Sequence, residues 1–126
     1  MKILLSVALG GALGAVARYI VGSHLGSWWG AGFPWTTLTV NVVGSLALGV
    51  FAGLSAFAWS PTAPMRAFIA VGVLGGFTTF SAFSLDVILL FERGRLELAA
   101  LYALASVSVA VGALFVGLRL ARWFLA

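Results

Sequence analysis

The chain has no cysteine, and among its 126 residues only three are acidic and one is histidine. Without cysteine, neither a disulfide nor a thiolate metal site can form. So few acidic groups and a single histidine provide no paired carboxylates, no Ser–His–Asp set and no metal-ligand cluster. We therefore predict that the protein is not an enzyme. Only 8% of the residues are charged, which is too few for the solvated surface of a soluble domain.

Hydrophobic residues make up 63% of the sequence, and this composition predicts an integral membrane protein. The length allows four apolar spans of about 20 residues each and almost nothing more. We expect an all-α protein, with residues 1–126 forming a single four-span membrane domain. The basic residues stand at the ends of spans rather than in a patch, so no nucleic-acid partner is expected. The predicted spans are Ile3 to about Gly22, Trp35 to Trp59, Ala67 to Phe91 and Leu98 to Leu118.

Two features of the N-terminal third bear on these boundaries. Met1 and Lys2, followed by an apolar run, also fit a signal peptide. Gly10 and Gly14 favour a helix that packs on another helix, because they form a small-xxx-small face. After this span, the segment 23–34 holds glycines, a proline, Trp28 and Trp29, which predicts an interfacial loop with aromatic anchors.

The basic residues are divided almost evenly between the two membrane sides. Four spans place four of them on one side and three on the other. Since an excess of Lys and Arg normally sets orientation, we interpret the balance as insertion in both directions, giving an antiparallel dual-topology homodimer. A weakly oriented protein whose topology is fixed by one dominant end is the alternative. The first group is Lys2, Arg66, Arg119 and Arg122, and the second is Arg18, Arg93 and Arg95.

Polar side chains recur at helical spacing inside two spans. Thr37, Asn41 and Ser45 share one face of the second span, and Tyr102 and Ser106 share one face of the fourth. Such groups are costly in lipid unless they find partners. Hydrogen bonding between helices explains each set taken alone better than a ligand site does.

The third span contains the most informative stretch, residues 75–84, GGFTTFSAFS. Its glycine pair predicts a helix that is broken near Gly75–Thr79, and broken spans usually line a binding or permeation site. Phe80 and Phe83 lie three residues apart on one face, with Ser81 and Ser84 between and after them. Ring edges carry partial positive charge and attract small anions.

In four stretches the sequence resembles the Fluc (CrcB-type) fluoride channels. The resemblance implies an antiparallel homodimer with two pores, in the bacterial inner (plasma) membrane. It also implies passive, fluoride-selective export from the cytoplasm, with several weak sites replacing the ion's water. The matching stretches, in chain order, are residues 10–19 (GGALGAVARY), 37–41 (TLTVN), 75–84 (GGFTTFSAFS) and 92–94 (ERG).

The same resemblance implies roles for individual residues. Phe80 and Phe83 would contact fluoride through ring edges, and Asn41 would stand at the end of their pathway. The carbonyls of Gly75 and Thr78 would hold a structural Na+ at the dimer interface. A basic residue near the wide entrance corresponds to Arg18. A track of hydrogen-bond donors corresponds to Thr37, Ser81, Tyr102 and Ser106. Ser84 is also expected in the pore.

Three positions depart from the family pattern, and two other functions stay open. Ala82 replaces a common threonine, Asp86 stands where glutamate is usual, and Ala110 lacks a hydroxyl that some members have. These changes bear on rate and gating rather than on the substrate. The alternatives are a small cation exporter, disfavoured because the first span has no acidic residue, and a non-conducting membrane assembly subunit that packs through its glycines.

Overall fold

The computed structural model describes residues 1–29 and 32–125, and these are almost entirely helical. In the part described, four segments are long and apolar enough to cross a membrane, namely Lys2–Gly26, Trp35–Phe57, Ala63–Glu92 and Leu96–Phe124. The elements in chain order are α1 (Lys2–Trp29), α2 (Trp35–Phe57), α3 (Ala63–Arg66), a π-helical segment (Ala67–Leu74), α4 (Gly75–Phe77), α5 (Phe80–Glu92) and α6 (Leu96–Leu125).

The four predicted spans are confirmed, but the first, third and fourth are longer than the sequence suggests and the second ends earlier, at Phe57. The first helix was expected to end near Gly22, and α1 continues to Trp29. The start of the expected loop is therefore helical, since neither Ser23 nor His24 stops a helix in progress. The side chains of Trp28 and Trp29, expected as interfacial anchors, lie outside what the structure describes. The fourth helix also extends beyond its predicted end, from Leu118 to Leu125.

The third span begins with a capped turn and contains a wide helical stretch. The Thr62 hydroxyl accepts a hydrogen bond from the Met65 amide at 3.3 Å, and Pro64 lies in the first turn. That position suits proline because its missing N–H would have had no helical partner. The π-helical segment then leads into α4, and regular helix stops at Thr78 and Thr79, both with extended backbone.

The break lies inside the predicted range, although the glycine pair does not unwind. Gly75 keeps helical backbone angles, with φ of −65° and ψ of −36°. A Cβ on Gly76 would stand 2.7 Å from the Gly11 carbonyl oxygen. This glycine therefore allows close helix packing, and the unwound residues are the two threonines that follow.

Glycines bring the helices together in two pairs. In the first pair α1 contacts the π-helical segment, where a Cβ on Gly14 would overlap the Val73 carbonyl. In the second pair α2 contacts α6, where a Cβ on Gly49 would overlap the Leu114 carbonyl. Missing side chains let helix backbones approach in lipid, where burial of apolar surface gives little drive for association. These close contacts fix the positions of the helices that surround the broken span.

Replacing Gly14 with alanine is expected to destabilise the protein by about 1 to 3 kcal/mol, because overpacking against backbone atoms cannot be relieved by a rotamer change. Unfolding by SDS titration measures the effect. Gly11→Ala is the matched control: its Cβ would meet nothing within 4 Å. We expect this control to unfold no more easily than the parent. Equal losses in both variants would contradict this account of helix packing.

Candidate functional site

Asn41 holds the break in the third span by its main chain. The Asn41 Nδ2 group donates to the Thr79 carbonyl at 3.0 Å, and the Thr79 amide donates to Asn41 Oδ1 at 2.8 Å. Both main-chain polar groups of one unwound residue are thus paired by one side chain, as a backbone in lipid requires. The helix-to-helix bonding expected for Asn41 is present, and one N–H of its amide is not used by this pair.

Thr79 also starts the second half of the span. Its hydroxyl accepts from the Ala82 amide at 3.1 Å and caps α5. The preceding residue, Thr78, instead donates its hydroxyl back to the Leu74 carbonyl at 2.9 Å. Gly44 leaves room for Thr78, since a Cβ there would overlap the threonine methyl. Two adjacent threonines therefore close one helix and open the next.

We call the pair of hydrogen bonds between the Asn41 side chain and the Thr79 main chain the clamp. Together with the Thr79 cap of α5, the clamp leaves without helical partners the two carbonyls that the resemblance associates with sodium. In a continuous helix the Gly75 oxygen would accept from the amide of residue 79, and the Thr78 oxygen from that of residue 82. Those amides donate to Asn41 and to the Thr79 hydroxyl instead. Neutral carbonyl oxygens without a helical partner are suitable ligands for a hard cation. Within residues 1–29 and 32–125, His, Cys, Asp and Glu form no metal-binding group.

A cavity of about 350 Å³ lies beside the break and brings together six of the predicted site residues. Its wall is mostly apolar, with a few hydroxyl and amide groups. Ser106 is buried, and its Oγ has no hydrogen-bond partner among the described residues. Phe80 is 77% exposed, while its ring centre lies 5.5 Å from that of Phe83. The predicted residues in the wall are Asn41, Gly75, Thr78, Phe80, Phe83 and Ser106.

Tyr102 lies between this cavity and a second one. Its side chain is fully buried, with its ring centre 5.2 Å from that of Phe83. Its hydroxyl donates to Asp86 Oδ2 at 3.0 Å. Asp86 and Thr37 line the second cavity, of about 280 Å³. The polar face of α2 is therefore divided, with Thr37 at the second cavity and Asn41 and Ser45 at the first. The phenol proton of Tyr102 is therefore already bound to a carboxylate.

Besides Thr37 and Tyr102, three further predicted residues lie outside the wall of the first cavity. The Ser81 hydroxyl is 3.1 Å from that of Thr79, and the Ser84 hydroxyl donates to the Phe80 carbonyl at 2.9 Å. Arg18 is half-buried and donates from Nε to the Gly76 carbonyl at 3.1 Å. The carbonyl that it contacts belongs to a residue near the middle of the third span, Ala63–Glu92. The entrance role expected for Arg18 stays a prediction.

Two residues of this site were not singled out from the sequence. Thr79 is the centre of the clamp, and a threonine followed by an apolar helical run is a recognisable N-cap signal. Ser45 lines the first cavity. The sequence indicated only that it shares a helix face with Thr37 and Asn41. The partner of Asp86 had no signal, because Tyr102 lies in another span sixteen positions away in sequence.

Comparison with known proteins gives matches over nearly the whole chain. The family model described as CrcB-like protein, Camphor Resistance (CrcB), matches residues 5–118. A fluoride-specific ion channel FluC of Rhodospirillum centenum is 61% identical over 122 residues, covering 97% of each chain. The channel of the same name in Nitrobacter winogradskyi is 54% identical over 94% of each chain. That of Agrobacterium fabrum is 53% identical over 92% of this chain and 93% of the relative.

Proposed function

We propose, since this chain belongs to the CrcB-like family, that it is a fluoride channel of the bacterial inner membrane, where it is a multi-pass protein. The observation that carries the proposal is full-length identity of up to 61% with relatives named fluoride-specific ion channels. The proposed direction is passive export of fluoride from the cytoplasm, which would protect cytoplasmic enzymes. Channels are not enzymes, and no reaction is proposed.

The composition of the first cavity supports a path for a small anion. Its polar side chains are uncharged hydroxyl and amide groups, and its aromatic rings belong to Phe80 and Phe83. The Ser106 hydroxyl is buried in this wall. Groups of this kind replace water around a halide without the trap that a fixed positive charge would create. The α5 N-terminus beside the cavity adds amides with no helical partner.

The test of the proposal is ion flux from liposomes loaded with fluoride or chloride. We expect fluoride efflux that the purified protein accelerates strongly, with chloride efflux near that of protein-free vesicles. Passive conduction predicts that the flux follows the imposed gradient and membrane potential without a coupled proton or cation. Equal fluoride and chloride fluxes would contradict the proposal.

The antiparallel dimer with two pores is the finer part of the proposal. Phe80, exposed on one side of an open cavity wall, supports a second copy that completes the wall. The charge argument is weaker than the sequence suggested. The Arg18 guanidinium bonds to Gly76 near the middle of the third span, so Arg93 and Arg95 are the clearer basic flanks on that side. A C-terminal reporter found on both membrane sides would support dual insertion, and one found on a single side would reject it.

The structural sodium ion is proposed at the freed carbonyls of Gly75 and Thr78. A single chain offers two such oxygens, and a twofold partner would double them, which approaches the coordination number of a hard cation. A bound ion would hold the break without taking part in conduction. Sodium is expected to raise the unfolding temperature more than an equal concentration of N-methylglucamine, and equal temperatures would remove the support for the site.

A further inference from the structure

One end of the helix bundle has four basic side chains and no acidic side chain. The chain crosses the membrane four times, so the start of α1, the start of α3 and the end of α6 lie on the same side. The three acidic side chains are those of Asp86 and Glu92 in α5 and of Glu97 at the start of α6. The basic residues at the opposite end are Lys2, Arg66, Arg119 and Arg122.

Two of these residues, Arg119 and Arg122, are held in place by aromatic rings. Because α6 continues to Leu125, both are on the helix rather than in a tail. The Arg119 guanidinium carbon lies 5.6 Å from the centre of the Phe115 ring, and that of Arg122 lies 5.1 Å from the Phe57 ring of α2. A guanidinium stacked on a ring keeps its N–H edge available for the oxygens of an anion.

Arg119 and Arg122 both border one hollow along the surface of α6, which has a volume of about 570 Å³. The rest of the hollow is apolar, and Trp123 at its edge is 77% exposed. Two fork-shaped cationic donors above an apolar wall match a phosphate joined to hydrocarbon. A free phosphate would gain nothing from that wall. The lining residues are Phe115, Val116, Arg119, Leu120, Arg122 and Trp123.

We propose that this hollow binds the phosphate of an anionic phospholipid, with Arg119 and Arg122 donating to its oxygens and the acyl chain lying along Phe115 and Val116. Basic clusters at the end of a membrane helix attract anionic lipids in this way. The site lies away from the cavity at the break, and it does not depend on the ion that the protein conducts.

The test compares lipid binding to the full-length protein by native mass spectrometry in detergent. Phosphatidylglycerol is the probe, and phosphatidylcholine and inorganic phosphate are the comparison ligands. The double substitution R119Q/R122Q is expected to lower the affinity for phosphatidylglycerol by roughly 25-fold, at about fivefold for each arginine near the headgroups. Phosphatidylcholine should bind weakly to every variant, and millimolar inorganic phosphate should displace little phosphatidylglycerol.

The matched control is K2Q/R66Q, which removes the same charge from the same membrane side. We expect it to lower the affinity less than about threefold, since its residues do not border the hollow. Equal losses in both double variants would overturn the site in favour of general charge attraction. Displacement by inorganic phosphate would overturn the lipid as the ligand. If R119Q/R122Q does not fold, R119K/R122K decides, and unchanged phosphatidylglycerol binding there would overturn the forked contact.

Discussion

Replacing Phe80 with isoleucine is expected to lower fluoride efflux from liposomes roughly tenfold, equivalent to about 1.4 kcal/mol along the path. Isoleucine keeps apolar bulk but has no ring, so the partial positive edge is lost. Phe80 lines the cavity and is 77% exposed. The substitution therefore leaves no hole in a packed region, and the fold should be retained. A fluoride electrode records the efflux directly.

Phe91→Ile is the control for that variant. Phe91 lies on the same helix, is 58% exposed and does not line the cavity at the break. Efflux through this control should equal that of the parent protein. If Phe80→Ile conducts like the parent, or if both variants lose flux equally, the ring edge at position 80 does not contribute to fluoride permeation.

Asn41→Ala is expected to abolish efflux and to lower the free energy of unfolding by about 2 to 3 kcal/mol. The Thr79 amide and carbonyl would lose both of their partners at once. Because unpaired main-chain groups are costly inside a membrane, the two halves of the span would shift until the Thr79 amide and carbonyl found other partners. SDS titration gives the stability, and the fluoride electrode gives the flux.

Thr39→Val tests whether the loss is specific to the clamp. Thr39 lies on the same helix and lines neither the cavity beside the break nor the second cavity. It should keep both stability and efflux. An Asn41→Ala protein that unfolds like the parent would show that the break is held by other contacts. One that is destabilised yet conducts normally would separate the clamp from the permeation path.

The number of spans could be predicted because apolar length and charge position depend only on local sequence. The break near Gly75–Thr79 could be predicted for the same reason. Its cause could not, since the packing role of Gly76 depends on Gly11 in another helix. The helical extension to Trp29 could not be predicted from the composition of segment 23–29. Polar residues alone do not end a helix, which needs a capping residue or a helix breaker to stop.

The gathering of site residues shows the same limit. Helical spacing placed Thr37 and Asn41 on one face of α2, but the structure puts them in different cavities. Tyr102 contacts Phe83 in the wall of the first cavity and Asp86 in the wall of the second, and neither contact follows from spacing within a single helix. Partners between spans are set by how the helices cross, which the sequence of one helix does not determine.

The clamp has a consequence for the order in which the chain enters the membrane. Asn41 precedes residue 79 in the sequence, so during synthesis α2 is available when the broken span leaves the ribosome. The Thr79 amide and carbonyl can therefore bond to Asn41 as soon as the third span enters the membrane, instead of remaining unpaired in hydrocarbon. A circularly permuted chain that delivers the broken span first would face lipid with that peptide bare, and its yield in the membrane would fall.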